Sequence, residues 1–372
     1  MSVQKYYTLK GNIKMAVNFN LPEIYEGNGP VSLKDWETRR KEILNILREN
    51  VYGFSPEAPE KINAEVVSEE SVLANKAIQR NVKISFDTPG GVFTFPVVLT
   101  IPKHVEKPAV FLLINFSPAL PDKYYPQEEV VDAGYACARV YYQDITSDNG
   151  DMTNGLAGMY SAENRPENGW GKISMWAFAL SRVMDYLETL SEIDKDKVIV
   201  IGHSRLGKTA LWTAAQDSRF AMACSNNAGC SGDALSRMNA QFDKAENVHI
   251  IYNRFPFWFC KNYAKYIDNE EVLPCDQHFL VGAIAPRPVA VGSAVEDLWA
   301  YPASELECCR EASKIYKRLG LEGLIYPEDA PMPEPGSNLD DGDIAYHLRA
   351  GAHFLSRTDW NAYIHFADKK LK

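Results

Sequence analysis

A run of apolar residues that ends in a glycine-containing turn constrains the fold of this chain more than any other feature. Residues 198–201 are β-branched, and Gly-His-Ser-Arg-Leu-Gly follows at 202–207, before a segment of helical character. A strand that turns sharply into a helix with Ser204 at the turn is the arrangement of a nucleophile elbow. A neutral serine hydroxyl is a weak nucleophile and must stand clear of the backbone to meet a base. The N–H groups of the helix behind it can stabilise a developing oxyanion.

Two other interpretations of this turn stay open at this point. Residues 202–209 satisfy the expression G-x-x-x-x-G-K-[ST] of a phosphate-binding loop, with Lys208 and Thr209 at its end. Such a loop usually follows the first strand of its domain, whereas this one lies past the midpoint of the chain. The third interpretation is an ordinary strand-to-helix turn that the serine caps.

The composition narrows the classes of protein that this chain can belong to. Its 372 residues are 46% hydrophobic and 24% charged, which is typical of a soluble globular protein with a sizeable core. A net charge of −10 argues against a nucleic-acid partner and against anionic membrane surfaces. No run of 18 apolar residues predicts a membrane span. The composition does not by itself indicate the substrate, and the oligomeric state stays open.

The cysteines and the first residues of the chain bear on cofactors and location. Seven cysteines without framework spacing, and without a C-x-x-C pair, predict reduced core thiols. No zinc site, other metal or cofactor is therefore expected. Polar residues follow Met1 and no apolar signal segment is visible, which predicts a cytoplasmic protein, or a secreted or periplasmic one if a signal was removed.

The first hundred residues differ in pattern from the rest. Residues 1–60 are expected to form an irregular arm with one helix, capped by Ser32 and ending near Val51, that packs on a main domain of residues 61–372. Residues 62–102 alternate like strands around a turn at 89–91, and therefore predict an antiparallel lead-in.

From residue 109 onward, continuous apolar strands alternate with helices. The predicted helices include residues 170–190 and 304–319, and the predicted strands are residues 110–114, 136–141, 198–201, 222–224 and 288–291. Strands buried on both faces and joined by helical crossovers predict a doubly wound, mostly parallel sheet. We therefore expect a single α/β domain of the α/β-hydrolase fold.

A nucleophilic serine needs a base and an orienting acid, which follow it in the order acid, then histidine, in this fold. His353 is best placed of the five later histidines, because it lies in a glycine-containing loop between a late strand and the terminal helix. For the acid, the strand near residue 290 ends in Glu296 and Asp297. Asp297 is preferred for its position relative to the following proline, and Glu296 is the reserve candidate. Completion of this set weakens the phosphate-loop interpretation.

The chain resembles the glucuronoyl esterases, carbohydrate esterase family 15. The stretch Gly-His-Ser-Arg-Leu-Gly-Lys at 202–208 is similar to the G-C-S-R-x-G-K motif of that family, and residues 226–232, 273–278, 284–288 and 351–353 resemble its bacterial branch. The resemblance covers roughly residues 30–370. It implies hydrolysis of the ester that joins 4-O-methyl-glucuronic acid of xylan to lignin alcohols, so the expected partner is a small-molecule or oligosaccharide substrate.

The resemblance also implies roles for individual residues. Ser204 would be the nucleophile, His353 the base, and Arg205 a group that stabilises the oxyanion. A guanidinium next to the serine suits that last role, because it offers a fixed cation and several donors near developing negative charge.

Three more residues are implied to bind substrate. Lys208 would contact the uronate sugar, and it lies one helical turn from the serine at the i, i+4 spacing. Trp299 and Trp258 would stack on the sugar ring, since an aromatic face suits the apolar side of a pyranose.

One departure from the family stands out in the sequence. Many members carry their acid as a glutamate just after the strand that follows the elbow helix, but here that strand runs into Asn226 and Asn227, with no carboxylate until Asp233. An asparagine cannot stabilise an imidazolium by charge. We therefore expect Asp297, or else Glu296, to take the role. An esterase for acetylated xylan and a catalytically silent carbohydrate-binding relative stay open as alternatives.

Overall fold

The computed structural model of the chain describes residues 3–9 and 13–372, and these contain twelve strands and ten α-helices. The strands are β1 Val3–Leu9, β2 Ile13–Phe19, β3 Asn63–Val72, β4 Ala77–Thr88, β5 Gly91–Pro102, β6 Val110–Asn115, β7 Ala136–Tyr141, β8 Val198–His203, β9 Met222–Asn226, β10 Val289–Ala294, β11 Ser337–Leu339 and β12 Ile344–Arg349. The helices are α1 Leu33–Leu47, α2 Gln127–Asp132, α3 Gly155–Met159, α4 Lys172–Leu187, α5 Arg205–Gln216, α6 Ser236–Asn239, α7 Val248–Arg254, α8 Gln277–Gly282, α9 Pro302–Arg318 and α10 Arg357–Leu371.

Ten of the described strands form one sheet in the order β11-β12-β10-β9-β8-β6-β7-β5-β4-β3. The strands from β12 to β7 run parallel to one another, while β5, β4 and β3 extend one edge in antiparallel fashion and β11 closes the other. Strands β6, β8, β9 and β10 are buried along their whole length, as a sheet covered by helices on both sides requires. The predicted α/β-hydrolase fold with an antiparallel lead-in is confirmed.

The N-terminal arm is more regular than the sequence predicted. Strands β1 and β2 pair antiparallel, from Val3 opposite Phe19 to Leu9 opposite Ile13, where an irregular segment was expected. The alternation of apolar residues at 13, 15, 17 and 19 is the period of a strand and was the overlooked signal. Residues 1–2 and 10–12 of the arm lie outside the described residues.

Helix α1 packs on the main body of the chain. Ser32 caps it as expected, since its hydroxyl accepts from the backbone N–H of Asp35, and a turn of π-helix, Arg48–Tyr52, continues it. The indole of Trp36 donates to the carbonyl of Ala285 at 2.9 Å, and the guanidinium of Arg40 donates to the carbonyl of Ala283 at 2.7 Å. No helix within residues 3–9 and 13–372 is both long and apolar enough to cross a membrane.

The topology decides where the functional side chains meet. In a parallel sheet the carboxyl ends of the strands share one edge, and the loops that follow them converge there. Ser204 follows β8, Asn227 follows β9, Asp297 follows β10 and His353 follows β12. Four loops that are far apart in sequence therefore meet over the centre of the sheet.

Candidate active site

Ser204 lies at a strained turn between β8 and α5. Its φ and ψ angles of 57° and −127° are sparsely populated by residues other than glycine, and its backbone N–H donates to the carbonyl of Asn226 at 2.8 Å. Position 202, two residues before the serine, accepts only glycine, because a Cβ on Gly202 would lie 2.0 Å from the carbonyl oxygen of Leu206. Helix α5 begins directly after the serine, so its N-terminal dipole faces the turn. This is the geometry of a nucleophile elbow.

His353 is bonded to Asp297. The Nδ1 atom of the imidazole lies 2.5 Å from Oδ2 of the carboxylate, and the side chain of Asp297 is buried. The other oxygen, Oδ1, accepts from the backbone N–H of Ala300 at 3.1 Å. Burial alone would raise the pKa of Asp297, but the hydrogen bond and charge of His353 outweigh it and hold the pKa below its usual value. The ionised form of Asp297 is therefore favoured beside the imidazole.

The two candidates for the acid are placed differently. Glu296 is exposed, and what it contributes is a backbone N–H that donates to the carbonyl of Gly351 at 3.0 Å. That bond ties the acid loop to the loop that carries His353. The structure thus brings Asp297, and not the reserve candidate Glu296, to the imidazole.

The asparagines after β9 support this relocated acid. Asn227 has a left-handed φ of 48°, and its Nδ2 atom donates to Oδ2 of Asp297 at 2.9 Å. The amide of Asn226 turns the other way, where its Oδ1 atom lies 2.7 Å from Nδ1 of His203. The asparagine that follows β9 thus orients the acid that follows the next strand of the sheet, β10.

The imidazole of His203 lies beside that of His353, with ring centroids 4.5 Å apart. Burial, together with the charge that His353 can carry, lowers the pKa of His203 to about 3. His203 therefore stays neutral at any pH at which a histidine base works. Sequence reasoning had assigned it no role, because nothing in the elbow motif shows that its side chain faces the base.

The loop that carries His353 is held from below by Arg349. Its guanidinium donates to three carbonyls of that loop, those of Ala350, Ala352 and Phe354. The Nε atom of Arg349 donates in turn to Asp359 at 2.7 Å, and that carboxylate caps helix α10. The loop of the base is thereby fixed between strand β12 and helix α10.

Arg205 contacts a carboxylate and an aromatic ring. It pairs with the buried carboxylate of Asp148, and its guanidinium carbon lies 4.7 Å from the ring centroid of Trp258. The expectation that Trp258 stacks on a sugar is wrong. That side chain is 2% exposed, stacks on Phe255 with ring centroids 3.9 Å apart, and donates its indole N–H to Asp148 at 2.7 Å. The tryptophan packs under Arg205 and has no free face.

Lys208 is buried as well. Its ammonium donates to the carbonyls of Ala228 and Cys230 and pairs with Glu246 at 2.9 Å. This geometry does not resemble a phosphate-binding loop, in which the lysine would face the ligand. The contact of Lys208 with a sugar stays a prediction.

Glu246 links Lys208 to Trp299. Its Oε1 atom accepts the indole N–H of Trp299 at 3.1 Å, while Oε2 faces the lysine. The Trp299 ring is 36% exposed, so it retains a free surface on which a sugar can stack. Glu246 escaped sequence reasoning, since a lone glutamate before a helix cap looks like a solvated charge.

A cavity of about 600 Å³ opens above the elbow. Its walls come from the segment after β6, with Phe116 and Tyr124, and from Ser204, Arg205 and His353. Lys208, Trp258 and Trp299 are absent from the described residues that line it. The serine, the base and the oxyanion candidate thus line one open cavity that is large enough for a small ester.

A serine at a strained elbow, facing a cavity that it shares with a carboxylate-bound histidine, defines a serine hydrolase of the α/β-hydrolase fold. Residues 84–320 match the family of fungal glucuronyl esterases, about two thirds of the chain. The chain therefore belongs to the glucuronoyl esterase family.

Individual relatives agree with this assignment. The chain is 35% identical to the carbohydrate esterase MZ0003 of an unknown prokaryotic organism, over 95% of this chain and 90% of that one. A solved structure of a promiscuous esterase of carbohydrate esterase family 15, from a marine bacterial metagenome, is similar with a TM-score of 0.84 and 34% identity, over 95% of this chain and 97% of that one. A glucuronoyl esterase from Solibacter usitatus has a TM-score of 0.84 and 32% identity, over 95% and 98%.

Proposed function

We propose that the protein is a serine esterase that hydrolyses esters of glucuronic acid, as in the link between 4-O-methyl-glucuronoyl groups of xylan and lignin alcohols. The observation that carries the proposal is the 2.5 Å bond between His353 and Asp297 beside the Ser204 elbow. It supplies a complete nucleophile, base and acid in a chain of the glucuronoyl esterase family, despite the missing glutamate after β9. It therefore argues against a catalytically silent relative.

The reaction follows from where each proton can go. The Oγ atom of Ser204 attacks the ester carbonyl carbon while its proton passes to Nε2 of His353, whose Nδ1 atom is held by Asp297. The carbonyl oxygen becomes an oxyanion, which the start of helix α5 and the guanidinium of Arg205 stabilise. The bond to the alcohol oxygen then breaks and that oxygen takes the proton from His353. Water repeats the sequence on the acyl-enzyme and releases the uronate and a proton.

The substrate side of the proposal depends on Trp299. Its partly exposed ring lies two residues after Asp297, and Glu246 fixes the indole through its N–H. A uronate ring that stacks on this face would place its ester near the loops of the base and the acid. Glu246 and Lys208 would favour a sugar indirectly, because the buried ion pair between them holds the indole of Trp299 in place.

A second candidate substrate is an acetylated carbohydrate. The solved relative from the marine metagenome is described as promiscuous, and the same nucleophile and base would cleave an acetyl ester. The difference between the two candidates is the uronate ring, which only the first substrate places on the acyl side of the ester.

The experiment is hydrolysis of benzyl glucuronate beside an acetylated xyloside by the wild type and by Ser204→Ala. We expect turnover of the uronate ester to exceed that of the acetyl ester, and to fall by about a thousandfold or more in Ser204→Ala. Faster acetyl turnover would favour the second candidate. Absence of turnover of either ester by the wild type would refute the esterase itself. The predicted cytoplasmic location stays a prediction, which fractionation of the native host would test.

A further inference from the structure

The carboxylate of Asp148 has no part in the reaction as written above, yet three side chains converge on it. It pairs with the guanidinium of Arg205, accepts the indole N–H of Trp258 at 2.7 Å, and accepts the hydroxyl of Tyr142 at 3.2 Å. The side chain of Asp148 is only 7% exposed. Burial and the neighbouring carboxylate raise the pKa of Tyr142 to about 12, so its hydroxyl stays a donor.

The guanidinium of Arg205 is confined by this arrangement. Aromatic rings surround it, with centroids at 4.7 Å for Trp258, 5.5 Å for Phe116 and 5.6 Å for Phe255. A guanidinium has five N–H donors in one rigid plane, so its orientation decides which of them face a ligand. One edge of the guanidinium lies on Asp148, its Nε atom is buried without a partner, and the residue lines the cavity above Ser204.

Hydrolysis of a uronate ester releases an anion, and an unpaired cation at position 205 would hold that anion in the site. The negative charge of the oxyanion forms on the carbonyl oxygen of the ester, and the product keeps a full negative charge on the same carboxyl group. A cation that binds the anionic product as tightly as the transition state slows release of that product, and release then limits kcat. A carboxylate beside the cation lowers the net charge that the product meets, while the fixed N–H donors still point to the oxyanion.

We propose that Asp148 is a positioning residue with two effects: it orients Arg205 toward the oxyanion, and its charge keeps Arg205 from retaining the uronate product. This proposal rests on the proposed function, because the anion that Arg205 would retain is the uronate released from a uronate ester. The class of ligand that Asp148 repels is a free uronate, and a neutral sugar is not affected.

The test is Asp148→Asn, which removes the charge and keeps the shape. The readouts are kcat on benzyl glucuronate and the inhibition constants of glucuronate and of methyl glucoside, a neutral sugar. We expect kcat to fall by about tenfold or more, and glucuronate to inhibit about tenfold more tightly, which corresponds to roughly 1.4 kcal/mol. Inhibition by methyl glucoside should not change. A glucuronate inhibition constant that is unchanged or weaker in Asp148→Asn would overturn the proposal.

Two further variants make the test specific. Asp151→Asn removes an exposed carboxylate from the same loop and should leave all constants near those of the wild type. Trp258→Phe removes the donor to Oδ1 of Asp148 and leaves a smaller ring under Arg205, while the charge of Asp148 stays, so kcat should fall while inhibition by glucuronate stays as in the wild type. If Asp148→Asn does not fold, unchanged kcat in Trp258→Phe still overturns the positioning role. Wild type without uronate esterase activity would refute the proposed function, whereas an active wild type with either contrary result refutes this inference alone.

Discussion

The Nδ2 atom of Asn227 donates to the carboxylate of Asp297 at 2.9 Å, and the same oxygen faces His353. Asn227, which follows β9, is thus linked to the imidazole only through Asp297. Asp297, in the loop after β10, contacts the imidazole directly. A neutral amide at position 227 stabilises the carboxylate of Asp297, whereas a glutamate at position 227 would repel that carboxylate. Asparagine at position 227 and aspartate at position 297 are therefore compatible with each other.

Asn227→Ala should lower kcat/KM by about three- to tenfold, because Asp297 loses one hydrogen bond and keeps those to Ala300 and His353. Steady-state kinetics on benzyl glucuronate measure the change. Asn164→Ala, at an exposed position, serves as a control. A loss beyond a hundredfold would mean that Asn227 does more than orient the acid, and no loss would mean that the bond is dispensable.

The pH profile of kcat/KM should have a single acid limb of unit slope. His203 remains neutral because its pKa is lowered to about 3, and the pKa of Asp297 is held low by His353, so neither neighbour of the base adds a second protonation to this limb. Rates across a series of buffers at constant ionic strength measure the slope. A slope of two would show that a second group titrates with the base.

Asp359 should make the fold sensitive to acid. Burial alone would raise its pKa, but His347 and Arg349 outweigh burial and lower the pKa to about 2. A carboxylate with a depressed pKa contributes stability above the pKa of the unfolded chain, and loses that contribution as the pH falls through its own pKa. The contribution is about 2 kcal/mol near neutral pH, and it should fade between about pH 5 and pH 2.

Urea unfolding of the wild type and of Asp359→Asn at several pH values tests this account of Asp359. The variant should be less stable at pH 7 and should lose less of its free energy of unfolding on acidification. A wild type and a variant with parallel pH dependence would contradict the assignment. Asp341→Asn, at an exposed position, is the matched control.

The sequence carried enough information for the fold and for the centre of the site. The runs of β-branched residues are buried on both faces, so their pattern was unambiguous, and Gly202 with Ser204 marks a turn that few other sequences can form. His353 followed from chain order, and Asp297 from its place at a strand end. Each of these is set by local residues or by topology.

The remaining features depend on contacts between distant segments. Tryptophan is a residue type that often binds sugars, and only the packing of Trp258 against Phe255 and Asp148 shows that this one is buried. Asp148 and Glu246 are isolated acids in sequence, and their roles arise from partners about 57 and 53 residues away. No periodicity or spacing reports such pairs.

Hydrolysis of benzyl glucuronate by Asp297→Asn, with Glu296→Gln beside it, tests the account most directly. The two variants remove neighbouring carboxylates, one bonded to His353 and one exposed. We predict that kcat falls by about a thousandfold or more in Asp297→Asn, because an asparagine cannot stabilise the imidazolium. Glu296→Gln should stay within about threefold of the wild type. Full activity in Asp297→Asn, or an equal loss in Glu296→Gln, would contradict the Ser204–His353–Asp297 assignment.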